Sequence, residues 1–260
     1  MATSGVSQVE GAAGGGLVPW ALIAGYGTRD GIGASAHLTH VKVSDFALTT
    51  GGVAVGFFDR VELSYARQWF DTGRAGARLG LGEDFTFHQD VVGAKVKLFG
   101  DAVFDQDRWW PQVSAGAQYK NADRSNILAA LGARSDDGVD LYLAATKLFL
   151  AQSLLVNGTV RLTKANQFGI LGFGGNRGAG YEPQLETSAA LLVSRRLAVG
   201  AEFRTKPNNL AFAREQDAFD LFAAYFLNKN LSLTAAYVDL GDVALQGGQK
   251  GVYLSIQAGF

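Results

Sequence analysis

The sequence contains no cysteine, which removes disulfide frameworks and thiolate chemistry together and suits a chain that crosses an oxidising periplasm. Proline is scarce, with four residues against 34 glycines. That balance excludes a collagen-like repeat and a proline-rich disordered chain alike. Hydrophobic residues reach 48%, yet no long apolar run exists; the stretch Leu148–Leu150, for example, is soon broken by Gln152. A spanning helix needs about 20 consecutive apolar residues, so none is predicted. Charged residues make up only 18%, which is sparse for a protein whose whole surface faces water. The net charge is −1 with Lys and Arg scattered singly, so the clustered basic footprint of a nucleic-acid partner is missing.

What is present is a repeated period of two. Val61, Leu63 and Tyr65 alternate with Glu62, Ser64 and Ala66, and Val92, Ala94, Val96 and Leu98 alternate with Gly93, Lys95 and Lys97. The same holds for Gln112–Tyr119, Val156–Thr163, Gln184–Val193 and Leu197–Arg204. Successive side chains of a strand point to opposite faces, so each segment carries one apolar face and one polar or small face. The segments run to about 9–12 residues, longer than the five or six of most globular strands and matched to a tilted membrane-crossing strand.

The links alternate in length. Backwards from the end, 239–250, 205–216, 164–182, 121–138 and 70–89 are long, whereas 227–231, 194–196, 150–153 and 58–60 are short and 100–108 is intermediate. Transmembrane barrels have short turns on one side and long loops on the other. Aromatic residues gather at the strand ends: Phe57, Phe58, Phe99, Trp109, Trp110, Phe149, Phe226 and Phe260 toward the short links, and Trp69, Phe70, Tyr119, Phe203 and Tyr237 toward the long ones. Two such bands match the interfacial girdles of a bilayer.

The expected fold is therefore all-β, a single transmembrane antiparallel up-and-down barrel over residues 1–260. Eleven segments from Gly51 onward plus Leu17–Gly27 and Ala34–Val43 make thirteen, and single-chain bacterial barrels have even numbers. Fourteen strands follow if 5–10, within the Gly-rich segment 1–16, forms a first strand. Twelve follow if Ala34–Phe58 is one long strand. The Arg29-Asp-Gly-Ile-Gly33 stretch reads as a tight hairpin turn and favours fourteen. The expected location is the bacterial outer membrane, in contact with its lipid. Because Met1-Ala-Thr-Ser-Gly5 has neither the basic start nor the apolar core of a signal peptide, the chain is expected to be a mature form.

In the last ten residues, Val252, Leu254, Ile256, Ala258 and Phe260 share one face. This strand resembles the terminal signal read by the barrel assembly machinery of Gram-negative outer membranes, with Phe260 as its aromatic end. The stretches 5–20, Ile23-Ala-Gly-Tyr-Gly-Thr28 and Asp59-Arg-Val-Glu-Leu-Ser64 resemble a proteobacterial family of secreted barrel-like proteins of unknown function. The resemblance implies a location and transfers no catalytic or binding residue.

Chemical motifs are few. His37 and His40 are three apart on a strand and face opposite sides, so they do not chelate one metal; His88 stands alone. His37 and Thr39 share a face, but no acid is evident to orient the imidazole for nucleophilic catalysis. Gly172-Phe-Gly-Gly-Asn-Arg177 starts like a dinucleotide loop but has Arg177 in place of the third glycine and no helix after it, so it reads as a flexible extracellular loop. Asp136-Asp-Gly-Val-Asp140 lacks calcium-loop spacing and reads as a polar loop end, while Ile127–Leu131 suggests a helical turn. No catalytic residue, metal or cofactor is expected.

The polar faces carry the functional material. Lys95, Lys97, Arg161, Glu186, Glu202 and Arg204 lie mid-strand opposite the apolar face. A Lys or Arg on the lipid face costs about 2–4 kcal/mol at the midplane, which directs these six into the lumen. They are the candidate lining of a passive, porin-like channel for small polar solutes. Mixed signs argue against strong ion selectivity. The alternatives are a non-conducting structural or interaction barrel, whose internal charges pair, and, more remotely, a lipid-acting barrel enzyme.

Overall fold

The alternating segments fold as long antiparallel strands whose polar faces converge. The computed structural model describes residues 6–26, 28–78 and 80–260. After a short hairpin of β1 (Val6–Ser7) and β2 (Ala13–Gly14) come β3 (Ile32–Val43), β4 (Ala47–Phe57), β5 (Val61–Asp71), β6 (Thr86–Phe99), β7 (Gln112–Ala122) and β8 (Asp137–Phe149). They are followed by β9 (Leu154–Thr163), β10 (Glu182–Leu192), β11 (Leu197–Arg204), β12 (Ala218–Phe226), β13 (Leu231–Asp239) and β14 (Lys250–Gly259). Strands β3 to β14 form a closed barrel of twelve. It is sealed where β14 pairs antiparallel with β3, Ser255 opposite Thr39 and Gln257 opposite His37.

The faces are inverted relative to a water-soluble protein. Leu63, Leu143, Val160, Leu221 and Leu254 are exposed on the outside, while Glu62, Lys95, Lys120, Asp140, Arg161 and Glu186 are buried within. Apolar-out and polar-in is the arrangement that lipid demands of a barrel wall.

The wall has the lower of the two expected strand counts, but not by the expected route. Ala34–Phe58 is two strands, broken at Ser44–Phe46, where the Val43 N–H donates to the Phe46 carbonyl. Residues 6–24, including most of Leu17–Gly27, are not in the wall at all: they are buried inside the barrel. The Arg29–Gly33 turn leads from this interior segment into β3 rather than joining two wall strands.

The physical reason lies in Gly14-Gly15-Gly16 and Pro19. A glycine run gains little from a pleated sheet, and proline cannot donate to its ladder. The segment instead coils on itself. Gln8 N–H donates to Ala12 O at 2.9 Å and Gly15 N–H to Val18 O at 2.9 Å, and Gly11 adopts φ +96°.

Close approach to the wall needs glycine on both sides. A Cβ on Gly15 would collide with the Glu202 carboxylate, and one on Gly56 of β4 with the Ala24 carbonyl and Ile23. Gly56→Ala is therefore expected to destabilise the barrel by about 1–3 kcal/mol through overpacking, read from urea unfolding in liposomes. Gly158→Ala, with nothing within 4 Å, should leave the midpoint unchanged. Equal shifts would mean that the segment yields freely at Gly56.

Long links gather at one end, with helices α1 (Gly73–Arg78) and α2 (Ser125–Ala130) among them. The second confirms the helical turn expected near Ile127. The tight turn at Ser44–Phe46 shares this end and the intermediate 100–111 link the other, so the length rule has one exception on each side. Of the expected girdle residues, Phe58, Phe99, Trp109, Trp69 and Tyr119 are exposed. Phe70 and Phe226 instead pack against the interior cluster, and Phe70 stacks on Phe46 with centroids 5.2 Å apart.

Candidate functional site

The lumen is occupied by the chain's own residues 6–24, and wall side chains satisfy much of this segment's main chain. On one side, Glu62 of β5 and Lys95 of β6 face each other in register and form an ion pair at 3.0 Å. The Glu62 carboxylate accepts the Ala13 N–H at 3.2 Å and the Ala24 N–H at 2.8 Å. The Lys95 ammonium donates to the carbonyls of Ala13, Trp20 and Leu22 at 3.1, 3.1 and 2.7 Å. One cross-strand pair thus clasps the segment at its middle and near its exit.

Further contacts ring the rest. Thr146 accepts the Ala21 N–H, and Gln112 and Ser114 both donate to its carbonyl. Thr159 donates to Pro19 O, Trp20 Nε1 donates to the Ser188 hydroxyl, and Thr50 and Gln68 donate to Val9 O. A buried backbone group without a partner costs roughly what a lost hydrogen bond does, so these contacts explain how an irregular segment lies inside a closed barrel.

The second anchor is Glu10, in the turn between β1 and β2. Its carboxylate meets Lys120 at 2.6 Å, Arg204 at 3.1 Å and Arg161 at 3.7 Å. Arg161 also binds Glu186 at 2.5 Å and Asp140 at 3.4 Å, Lys120 binds Asp140 at 2.7 Å, and Arg204 binds Glu186 at 3.1 Å. Three cations and three carboxylates, all buried, form one network; in a low-dielectric interior such a set holds only when fully paired and hydrogen-bonded.

Above it the 164–181 link folds inward. Phe168 offers its carbonyl to Lys120 and its ring to the Arg204 guanidinium at 4.2 Å, and Leu171 and Phe173 are buried. The stretch expected to be a flexible loop around Gly172–Gly174 is thus packed over the mouth, with Phe173 N–H donating to Ser135 O. Next to it Glu215 accepts the Gln167 N–H and Lys206 donates to Gln167 and to Leu240 O. Burial pushes the Glu215 carboxyl up to about 7 and the Lys206 ammonium down to about 8.

Five of the six candidate lining residues, Lys95, Arg161, Glu186, Glu202 and Arg204, come together around the N-terminal segment rather than along a free passage. Lys97 lies apart, nearer the short-link end, paired with Asp59 at 2.5 Å and Asp101 at 3.8 Å. Phe260 closes the seam: its N–H donates to Ala34 O, and its carbonyl accepts from Ala34 and Tyr26.

Sequence reasoning missed Glu10, Lys120, Asp140 and Asp220, and it placed Glu62 on a polar face without naming it a lining residue. The last three of the missed residues were findable, since each continues the polar face of its strand. Asp140 belongs to the ion network, not to a loop end. His37 is buried and His40 exposed, bonded to Thr49 at 3.0 Å. His88 pairs with Asp123 at 2.8 Å. Thr39 shares a hydrogen bond with Ser255 at 2.7 Å rather than with His37. Among the described residues no group of three or more His, Asp or Glu is arranged to hold a metal ion.

The geometry is that of a closed transmembrane-type β-barrel filled from within. Residues 3–257 match the family described as "Protein of unknown function (DUF3034)", and the chain belongs to that family. No curated protein matches the sequence.

Among solved structures, the KdgM porin in complex with disordered oligogalacturonate is similar at a TM-score of 0.56 and 12% identity, over 87% of this chain and 99% of that one. The NanC porin gives 0.51 at 9% identity over 87% and 98%. An active-site mutant of outer membrane phospholipase A from Escherichia coli gives 0.50 at 12% over 93% of each chain. At such identities the likeness shows the fold alone, and that fold is the outer-membrane barrel.

Proposed function

We propose that this chain is an outer-membrane barrel held closed by its own N-terminal segment, so that at rest it passes no small polar solutes. The observation that carries this reading is the filling of the lumen by residues 6–24, clasped through their main chain by Glu62 and Lys95. In this reading the exposed apolar belt meets lipid, the barrel assembly machinery inserts the chain, and Phe260 is part of the signal it reads. No catalysis is assigned, because His37 has no acid to orient it and its Nε2 is without a hydrogen-bond partner among the described residues.

A gated pore is the second reading. It is favoured by the wall itself, whose inner Lys, Arg and Glu side chains would line a hydrated passage for small polar solutes if the segment withdrew. The similar porin that carries an oligogalacturonate is in keeping with it.

Conductance in a planar bilayer tests both. The full chain should be silent, and a chain lacking residues 1–24 should give steady currents if the wall alone is a pore. Steady conductance from the full chain would overturn the closed reading. Silence from a folded, truncated barrel would remove the gated one.

A further inference from the structure

Two of the buried carboxylates inside the barrel have no cation beside them among the described residues. Lys95 faces Glu62, and Lys120, Arg161 and Arg204 meet Glu10, Asp140 and Glu186, cation for carboxylate. Glu202 and Asp220 are left over. They stand opposite each other in register between β11 and β12 and are only 2% and 1% exposed. Neither has a Lys or Arg within ion-pair distance among the described residues.

Glu202 is already engaged: Oε2 accepts the Leu17 N–H at 2.7 Å and Oε1 the Ser188 hydroxyl at 2.7 Å. Asp220 Oδ1 has no partner among the described residues. Two ionised carboxylates side by side in a buried interior with no cation beside them repel without compensation, and such pairs hold one proton between them.

The surroundings supply no other counter-charge. Strand β10 presents Glu186, itself acidic and bound to Arg161 and Arg204. Arg204 of β11 is taken up by Glu10 and Glu186. Strand β13 presents only Val238 and Ala236 to this side. The N-terminal segment brings Gly15 against Glu202 and Gly16 against the Tyr253 ring of β14. Consecutive glycines thus set the Tyr253 side chain beside the pair, and its hydroxyl is buried without a partner among the described residues.

A polar file leads to it. Gln257 Oε1 and His37 Nε2 are also buried without partners, and the Thr39 and Ser255 hydroxyls lie between them and Tyr253 along β14 and β3. Gln257 also lines a small cavity at the short-link end with Tyr26, Asn230 and Ser232. Buried polar atoms without protein partners are the places where internal water sits.

We propose that Glu202 and Asp220 form a proton-binding site, charged from the short-link end along this file, whose single shared proton keeps the Leu17 attachment of the N-terminal segment in place. The step is simple. A hydronium ion gives its proton to the Asp220 carboxylate, its own O–H bond breaking to leave water, and the new carboxyl O–H donates to Glu202. Losing it restores two facing negative charges next to the Leu17 contact.

The test uses the full chain in liposomes with Glu215→Gln as parent, which removes a further buried carboxyl that burial pushes up to about 7. An infrared band of a protonated carboxyl group should persist in the parent at pH 7 and vanish in Asp220→Asn.

The sign of the stability change follows from linkage. An unfolded Asp titrates near about 4, so above that pH the folded site holds the extra proton. Parent stability should then fall as pH rises, by up to about tenfold in the folded-to-unfolded ratio per pH unit until the site itself empties. Asp220→Asn, whose amide donates permanently to Glu202, should abolish that component of the slope. Glu202→Gln provides a second variant that leaves one carboxylate. Absence of the band in the parent, or stability that follows sodium or potassium concentration instead of pH, would overturn the proposal and assign the counter-charge to a metal cation.

Discussion

Replacing Lys95 with methionine is expected to destabilise the barrel by about 3–5 kcal/mol, the usual cost of stranding one member of a buried ion pair. The substitution leaves the Glu62 carboxylate 1% exposed beside an apolar chain and removes the donor shared by the Ala13, Trp20 and Leu22 carbonyls. Lys97→Met, two residues along the same face of β6, is the control. Its partner Asp59 is 29% exposed, so the charge left behind is hydrated and the loss should stay below about 1 kcal/mol. Urea titration of liposome-embedded protein measures both. Equal shifts would mean that Lys95 is solvated in the membrane and that the clasp on the N-terminal segment is not formed.

The contrast between these two lysines marks how far the sequence could be read. Alternation with period two placed Lys95, Lys97, Arg161, Glu186, Glu202 and Arg204 on one face, because strand geometry leaves a side chain only two directions. It carried no information on what that face meets. The partners are remote in the chain: Glu202 holds the Leu17 N–H and Lys120 holds Glu10, contacts that only barrel closure creates.

The N-terminal segment misled for a related reason. Leu17–Gly27 has the length and apolar content of a strand, and an even strand count rewarded adding a further one. The run Gly14–Gly16 just before it and Pro19 within it were the contrary signal, since they weaken any claim to a place in the ladder. The break at Ser44–Phe46 was also legible: Ser-Asp favours a turn through side-chain bonds to nearby backbone, and Asp45 sits at that turn with its N–H donated to Gln249. The inward folding of the 164–181 link was not legible, because it depends on Phe168 finding Arg204 across the mouth.

Glu10→Ala should be as costly as Lys95→Met and more telling. It leaves Lys120, Arg161 and Arg204 facing only Asp140 and Glu186, so a buried positive charge goes uncompensated, again at about 3–5 kcal/mol. The same substitution removes the ionic hold on the turn between β1 and β2 and leaves only hydrogen bonds there, such as those of Thr50 and Gln68 to Val9 O, while the Glu62–Lys95 clasp is untouched. If the segment is what closes the lumen, single-channel recordings of the variant should show intermittent openings that the parent lacks. Arg204→Met alone should also destabilise, since it strands part of Glu10 and Glu186. Together the two changes remove opposite charges from one network, so the double variant is expected to lose less than the sum of the single losses, by at least about 1 kcal/mol. Strict additivity would mean that Glu10 and Arg204 act separately and that the segment is held by its main-chain contacts alone. A destabilised variant that never opens would place the seal at the inward-folded 164–181 link instead of at Glu10.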